Sequence, residues 1–575
     1  MYKQNKRSQQ PLLLSDVHAL PERSLKYLKN SWADTFRREV FLRIPEDRFA
    51  VLYDPDPSRP NVPVNVLVGL DIIKEGFGWS DEELYEHFLF DLQVRYALGC
   101  DNFGEGDFDL RTLYYFRKRV SAHALKSGEN LFQVVFNQVT DEQIRKLGVK
   151  TDLQRMDSTQ LLSNIADLSR LELLVEVLQR LHRMLNEADQ ASYAEIFAPY
   201  LQQSAGQYTY RIKGKAAVWE RIQQLGVILH DLLARLAERY REQPVYQVAQ
   251  RFFDENFQLI EVEVKAKTNR EIQAGCLQSL DDLEASYRVK GSRAYKGYVG
   301  NLSETCHPEN PLQLIVHTHT AQNRIHDTQL LSEALPELME RTDLKKIVTD
   351  GGYVSPDIDQ ALRKQTIEQI TTGLTGTLPD HQDGRLALSD FVMELSQESE
   401  VTQAACPAGQ NALIYPRPSG KSFRLLFEPT ACQACAFFQQ GQCPIQVDPK
   451  KGLFYLTVPK DRAISSQRRR RFEQCKAEAR QLRPAVEATV FQVKHTWRGG
   501  KLRVRGLFRV ACAFTCSALA VNLRRIHRYE NDTQRGKFTA KKGRESFSVA
   551  ISRACNALIG PFYRLRLAFC ASFSC

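Results

Sequence analysis

The sequence predicts a mixed α/β protein, in which a sheet domain with a helical insertion follows an all-helical domain. Three observations predict it. From residue 145 onward, short apolar stretches of strand character alternate with helical patterns. Within that region Leu168, Leu171, Leu174, Leu178, Leu181 and Leu185 recur at helical spacing. Val218, Ile222, Leu225, Leu229, Leu232, Leu236 and Tyr240 do the same. Before it, residues 1–140 carry helical patterns separated by turns. At 575 residues the chain is too long for one ordinary core, and two to four domains are expected.

In chain order, Asp54 to Pro63 is a Pro-rich turn region, and Val64 to Lys74 is apolar enough for a buried helix. Ser80 and Glu83 form a capping-box pattern that opens the next helix. Asp109 to Arg119 predicts a third, carrying Arg111, Arg117, Lys118 and Arg119 beside Tyr114 and Tyr115. A basic, aromatic helix after two shorter ones suits a helix-turn-helix-like DNA reader; a packing helix with a charged outer face has the same pattern.

Residues 145–161 predict the first strand of the sheet domain, which spans 145–380 and resumes over 465–530. The two leucine-rich helices form a hairpin insertion over about 165–260, with core packing as their only role. Further strands are expected at Lys296–Asn301, Leu312–Thr320, the stretch ending at Asp350, and Gln365–Thr372, with a helix over Asn323–Leu335. Residues 381–460 are turn-rich. Arg468 to Arg471 precede a long helix bearing Glu487, and 531–575 form a C-terminal segment whose apolar end, Phe547–Cys575, predicts a buried element.

Composition narrows the function. The N-terminus lacks a signal-peptide core, and no run of about 18 apolar residues predicts a membrane span. Thirteen cysteines in such a chain suggest reduced thiols in the cytoplasm. The net charge of +10 is uneven: Lys451–Cys575 holds 27 Lys and Arg against 7 Asp and Glu, a net of +20, which leaves −10 for the rest. Concentrated positive charge points to a polyanion partner, with nucleic acid favoured over a solvated basic face or an anionic-membrane patch.

Asp157 and Asp350 each end an extended stretch, and Glu487 lies on a basic helical segment. Two strand-end aspartates and a helical glutamate can hold two hard divalent ions, Mg²⁺ or Mn²⁺, over a phosphodiester. Arg483, Glu487 and Lys494 share one helix face. Cys432 and Cys435 form a CxxC pair, with Cys443 after seven intervening residues and Cys406 26 positions before Cys432. Four such thiolates could make a structural zinc site; unligated thiols are the alternative. His307, His317, His319 and His326 have no clear metal-ligand spacing.

Together these residues resemble the DDE-type transposases of bacterial insertion sequences, whose catalytic domain is RNase H-like. Met156-Asp157-Ser158-Thr159 is similar to the first signature of that family, and Thr349-Asp350-Gly351-Gly352-Tyr353 to the second. The third is Tyr, two residues, Arg, three residues, Glu, six residues, Lys. The chain matches it at Arg483, Glu487 and Lys494 and departs at the Tyr position, which is Arg480. The resemblance implies cleavage at element ends and strand transfer of the freed 3′-hydroxyl into target DNA. Asp157 and Asp350 would share one metal ion, Glu487 would hold a second, and Arg483 and Lys494 would grip phosphates. Terminal repeats and target DNA would be the partners, with a homodimer on DNA. Trp497 would stack on a base or fill the core. A catalytically silent, transposase-derived DNA-binding regulator is the alternative.

Overall fold

The computed structural model describes residues 1–6, 14–54, 56, 60–374, 384–398 and 400–534, with the side chains of Arg483 and Pro484 outside that set. Met1–Arg525 forms one compact unit. Ile526–Cys575 is a second, of which residues 526–534 are described as helix. The buried element expected at Phe547–Cys575 lies outside the described residues.

The N-terminal segment is helical, and it begins earlier than the sequence patterns suggest, with helices Glu22–Lys29 and Trp32–Glu39. Helix Val64–Phe77 is buried on nearly all sides, as a helix without a polar stripe must be. It stops at Gly78, whose φ is +72°; a Cβ there would lie 2.1 Å from the Thr496 carbonyl oxygen. The Ser80–Glu83 capping box opens helix Asp81–Phe90. Asp109 caps helix Leu110–Ser127 by accepting from the Arg111 N–H. These helices have no separate core. Phe36, Leu67, Phe88 and Phe116 pack in one cluster with Leu161, Tyr298, Trp497 and Phe514.

The sheet domain opens with β1 (Leu153–Leu161). The insertion follows as helices plus a short hairpin, β2 (Phe257–Ile260) and β3 (Glu263–Ala266). Its helices Arg170–Met184 and Lys215–Tyr240 share a core of their own that includes Leu174, Leu178, Leu229 and Leu236, as their spacing predicts. Next come β4 (Ser286–Lys290), β5 (Arg293–Thr305), β6 (Ile315–Gln322), helix Asp327–Arg341, β7 (Lys346–Thr349) and β8 (Glu368–Thr371). The sheet order is β4-β5-β1-β7-β8, with β6 also on β5. β1 runs antiparallel to β5 and parallel to β7, and β7 is parallel to β8.

Two strand expectations change. The short strand at Lys296–Asn301 is the middle of the 13-residue β5. Its glycines disguise it, and close approach explains them. A Cβ on Gly297 (φ +140°) would lie 2.4 Å from the Leu161 carbonyl oxygen, and one on Gly300 would lie 2.9 Å from both Leu161 and Phe514. Asp157 does not end its strand, because β1 continues through Leu161.

The turn-rich stretch also contains sheet: a β9 (Val392–Leu395) and β10 (Val401–Ala405) pair, then β11 (Leu413–Pro416), β12 (Ser422–Phe427), β13 (Gln446–Asp448) and β14 (Leu453–Pro459) in the order β11-β12-β14-β13. Buried Phe423, Leu425 and Phe427 face buried Phe454, Leu456 and Val458 in period-2 alternation. β14 leads directly into the 35-residue helix Lys460–Lys494. The last described helix, Leu507–Gln534, is long and apolar enough to cross a membrane by composition, which the sequence analysis did not anticipate. Its Val510, Phe514, Ala518 and Leu519 are instead buried in the core of the first unit.

Candidate active site

β1 and β7 bring the two aspartates together. Arg155 pairs with Val348, so the parallel register carried two residues further sets Asp157 level with Asp350. Asp157 accepts the Ser158 N–H at 2.8 Å. Asp350 follows the last residue of β7 and accepts the Gly352 N–H at 2.8 Å. The Gly-Gly pair is a packing requirement. A Cβ on Gly351 would lie 2.9 Å from the Gly373 carbonyl oxygen. One on Gly352 would lie 2.9 Å from Asp327 Oδ2 and 3.0 Å from Asp350 Oδ1.

Asp327 is therefore a third carboxylate at this point, and sequence reasoning missed it. It is buried at the start of helix Asp327–Arg341 and accepts the Ser158 hydroxyl at 2.9 Å. Tyr353, fully buried, donates its hydroxyl to Asn301 at 2.7 Å. Burial, then the charges of Asp327, Asp157 and Asp350, push its phenol well above the ordinary range, so it acts as a donor and not as an anion.

The Glu487 helix crosses the opposite face of β1. Alternation puts Arg155, Asp157 and Thr159 on that face. Arg155 Nη1 donates to the Leu482 carbonyl at 3.2 Å, and Lys494 Nζ donates to Thr159 Oγ1 at 3.0 Å and to the Gln160 carbonyl at 2.7 Å. The helix thus runs in the direction of β1, with exposed Glu487 between its two anchors. Burial, and then the positive charge of Arg293, lower the Lys494 ammonium to about 8.

A buried charge knot fixes this crossing. Glu304 of β5 is fully buried and accepts from Arg155 Nε at 2.6 Å, from Arg525 Nη1 at 2.7 Å, and from Thr489 Oγ1 at 2.7 and 2.8 Å. Burial raises its carboxyl pKa, but Arg525 and Arg155 outweigh burial and hold it below the ordinary range. Arg155 lies two residues from Asp157, and Thr489 two from Glu487. The knot was not legible in sequence, because its members are 149 or more positions from Glu304 or 36 from one another.

Three carboxylates offer hard oxygen donors, which suits a divalent ion such as Mg²⁺ or Mn²⁺. As placed they do not close into a cage: among the described residues no group of three or more His, Cys, Asp or Glu is set to hold a metal ion.

The DNA-reading candidates divide. Arg111, Lys118 and Arg119 are exposed beside Tyr114 and Tyr115, with the Arg119 guanidinium 5.1 Å from the Tyr53 ring. Arg117 turns inward, bonded to Asp71 and, at 2.8 Å, to Asp81. Sequence reasoning missed exposed Arg503, Arg505 and Arg509, which line a cleft of about 460 Å³ with Lys118 and Tyr114. The side chain of Arg483 lies outside the described residues. Trp497 is a core residue, buried with its indole N–H 3.3 Å from the Ser517 hydroxyl. Cys406, Cys432, Cys435 and Cys443 line one small cavity.

Residues 405–527 match the family model of the transposase DDE domain. The matched stretch contains Glu487, Lys494 and the four clustered cysteines, and it supports a DDE-type transposase. No curated protein matches the chain.

Proposed function

We propose, on the premise of that transposase domain, that this chain cuts DNA at the ends of its own element and joins the freed 3′-hydroxyls to target DNA. One observation carries the proposal: Asp157 and Asp350 each follow the paired Arg155 and Val348 of adjoining parallel strands by two residues, and a helix that bears Glu487 and lies within the transposase match crosses β1. The strand order, with β1 between antiparallel β5 and parallel β7, supports an RNase H-like catalytic domain.

In this reading Asp157, Asp350 and Glu487 would hold two Mg²⁺ or Mn²⁺ ions once drawn together on DNA. Bound there, the ions would supply charge neutralisation at the attacked phosphate and an acidified water. The protein groups position the rest. Water oxygen joins phosphorus, the O3′–P bond breaks, and O3′ leaves as the hydroxyl that later attacks a target phosphodiester. Lys494, held at the end of β1, would meet a phosphate near the cut. Arg483 is assigned the same role from the sequence alone. Arg111, Lys118 and Arg119 contact the flanking duplex. The Glu304 knot holds the helix and strand so that the carboxylates keep their spacing. Two ends must be cut, so a homodimer on DNA is the assembly proposed.

The test is a binding and cleavage assay on DNA spanning the boundaries of the element. Metal-dependent cleavage at the boundary supports the proposal. Specific binding without cleavage under any divalent ion favours the silent regulator.

A further inference from the structure

We infer that Cys406, Cys432, Cys435 and Cys443 bind one structural Zn²⁺ that braces the segment feeding the Glu487 helix. The inference does not depend on the transposase reading.

Three observations carry it. First, the fold brings all four cysteines, from three separate stretches of chain, to line one cavity of about 20 Å³. That space holds no organic ligand, but thiolate sulfurs close around a zinc ion at about 2.3 Å. Second, all four are free thiols. Third, a backbone donor points at one of the sulfurs. Cys406 begins a tight turn in which the Gly409 N–H donates to its carbonyl at 2.9 Å and the Gln410 N–H donates to its Sγ at 3.4 Å. Gly409 takes φ +83° to close that turn. Burial raises the Cys443 thiol, and a backbone contact from Ile445 works against that rise. A sulfur that accepts backbone N–H bonds is suited to carry negative charge, as a metal-bound thiolate does.

As placed, the sulfurs are not closed about one point. Binding therefore includes rotation of the thiols among their staggered χ1 wells. The consequence for the fold is local. Cys406 follows β10, the CxxC pair follows β12, and Cys443 precedes β13 and β14. One ion would thus tie together the connections of a small sheet whose last strand runs into helix Lys460–Lys494. That helix is already held at its foot by the Ser466 hydroxyl, which donates to the Leu388 carbonyl at 2.7 Å.

The experiment is elemental analysis of the full-length chain purified under reducing conditions, followed by replacement of the metal with Co²⁺. About one zinc per chain is expected, together with the thiolate-to-cobalt charge-transfer and tetrahedral d–d bands of an all-sulfur site. Cys432→Ser and Cys406→Ser should lose the metal, whereas Cys475→Ser, outside the cluster, should retain it. If the cluster variants fail to fold, the wild type decides: a chelator should remove one zinc and expose four more thiols to a thiol reagent. Folded wild type that takes up no zinc on incubation with it would overturn the inference. So would a disulfide between any two of the four cysteines, or equal metal loss in Cys475→Ser.

Discussion

Glu304→Gln should loosen the crossing of the Glu487 helix over β1 more than any change at a surface pair. The carboxylate is fully buried and bonds two guanidiniums, whose side chains are 9% exposed (Arg155) and 17% exposed (Arg525). Glutamine keeps the volume and one acceptor but removes the charge, leaving two shielded cations without a counter-charge. Breaking one partner of a buried pair costs about 3–5 kcal/mol, a large part of the roughly 5–15 kcal/mol that holds a domain folded. Thr489 also loses an acceptor that ties the helix to the sheet. The assay is urea denaturation at pH 7 followed by tryptophan fluorescence, with Glu129→Gln as the comparison. Glu129 pairs with Arg48 at the surface, where ion pairs contribute at most about 1 kcal/mol. The account expects a clear fall in the first unfolding midpoint for Glu304→Gln and almost none for Glu129→Gln. Equal small shifts in the two would refute the reasoning.

Lys494 should make DNA binding pH-dependent. Its ammonium loses its proton near 8 in the folded chain, and a bound phosphate favours the charged form, so affinity should fall as pH rises through 8; Lys494→Arg should flatten that profile in a fluorescence-anisotropy titration. The same lowering means that the folded state holds fewer protons than the unfolded one between about 8 and the ordinary lysine value, so Lys494 makes stability rise with pH across that window. Glu75 acts in the opposite direction. Burial first, opposed by Lys74 and Arg117 and reinforced by Asp71 and Asp81, raises its carboxyl to about 7. Its contribution is therefore fully present below the ordinary glutamate value and is lost as pH rises through 7; Glu75→Gln should remove that slope from the dependence of melting temperature on pH. Gly352→Ala should cut cleavage at least tenfold while leaving the circular dichroism spectrum unchanged, because the added methyl meets the Asp327 and Asp350 carboxylates. Unchanged cleavage would show that the spacing of these groups is not critical.

Legibility in the sequence followed locality. Asp350 could be placed because four strand residues run straight into Gly-Gly, and the insertion because its leucines repeat every turn. Polar Ser158, Thr159 and Gln160 follow Asp157 in the sequence and mask the continuation of β1 beyond it. Ser158 and Thr159 stay in β1 because distant partners satisfy them: Ser158 bonds Asp327, and Lys494 bonds both Thr159 and the Gln160 carbonyl. Gly297 and Gly300 hid the length of β5, because a requirement for close approach looks locally like a strand breaker. Arg117 was grouped with its exposed neighbours, but which face a cation takes depends on Asp71 and Asp81, 46 and 36 residues away. Asp327 and Glu304 carry no local signal at all. Their place at the site exists only once β1, β5 and β7 are paired.

The proposed function requires Asp157, Asp350 and Glu487 to act as one site on DNA. The most direct measurement is Mg²⁺- or Mn²⁺-dependent cleavage of boundary DNA by the wild type and by Asp157→Asn, Asp350→Asn and Glu487→Gln, with binding followed in parallel. Cleavage by the wild type only, with binding by all four proteins, is the expected result. Metal-dependent cleavage retained in any one of the three variants would contradict it.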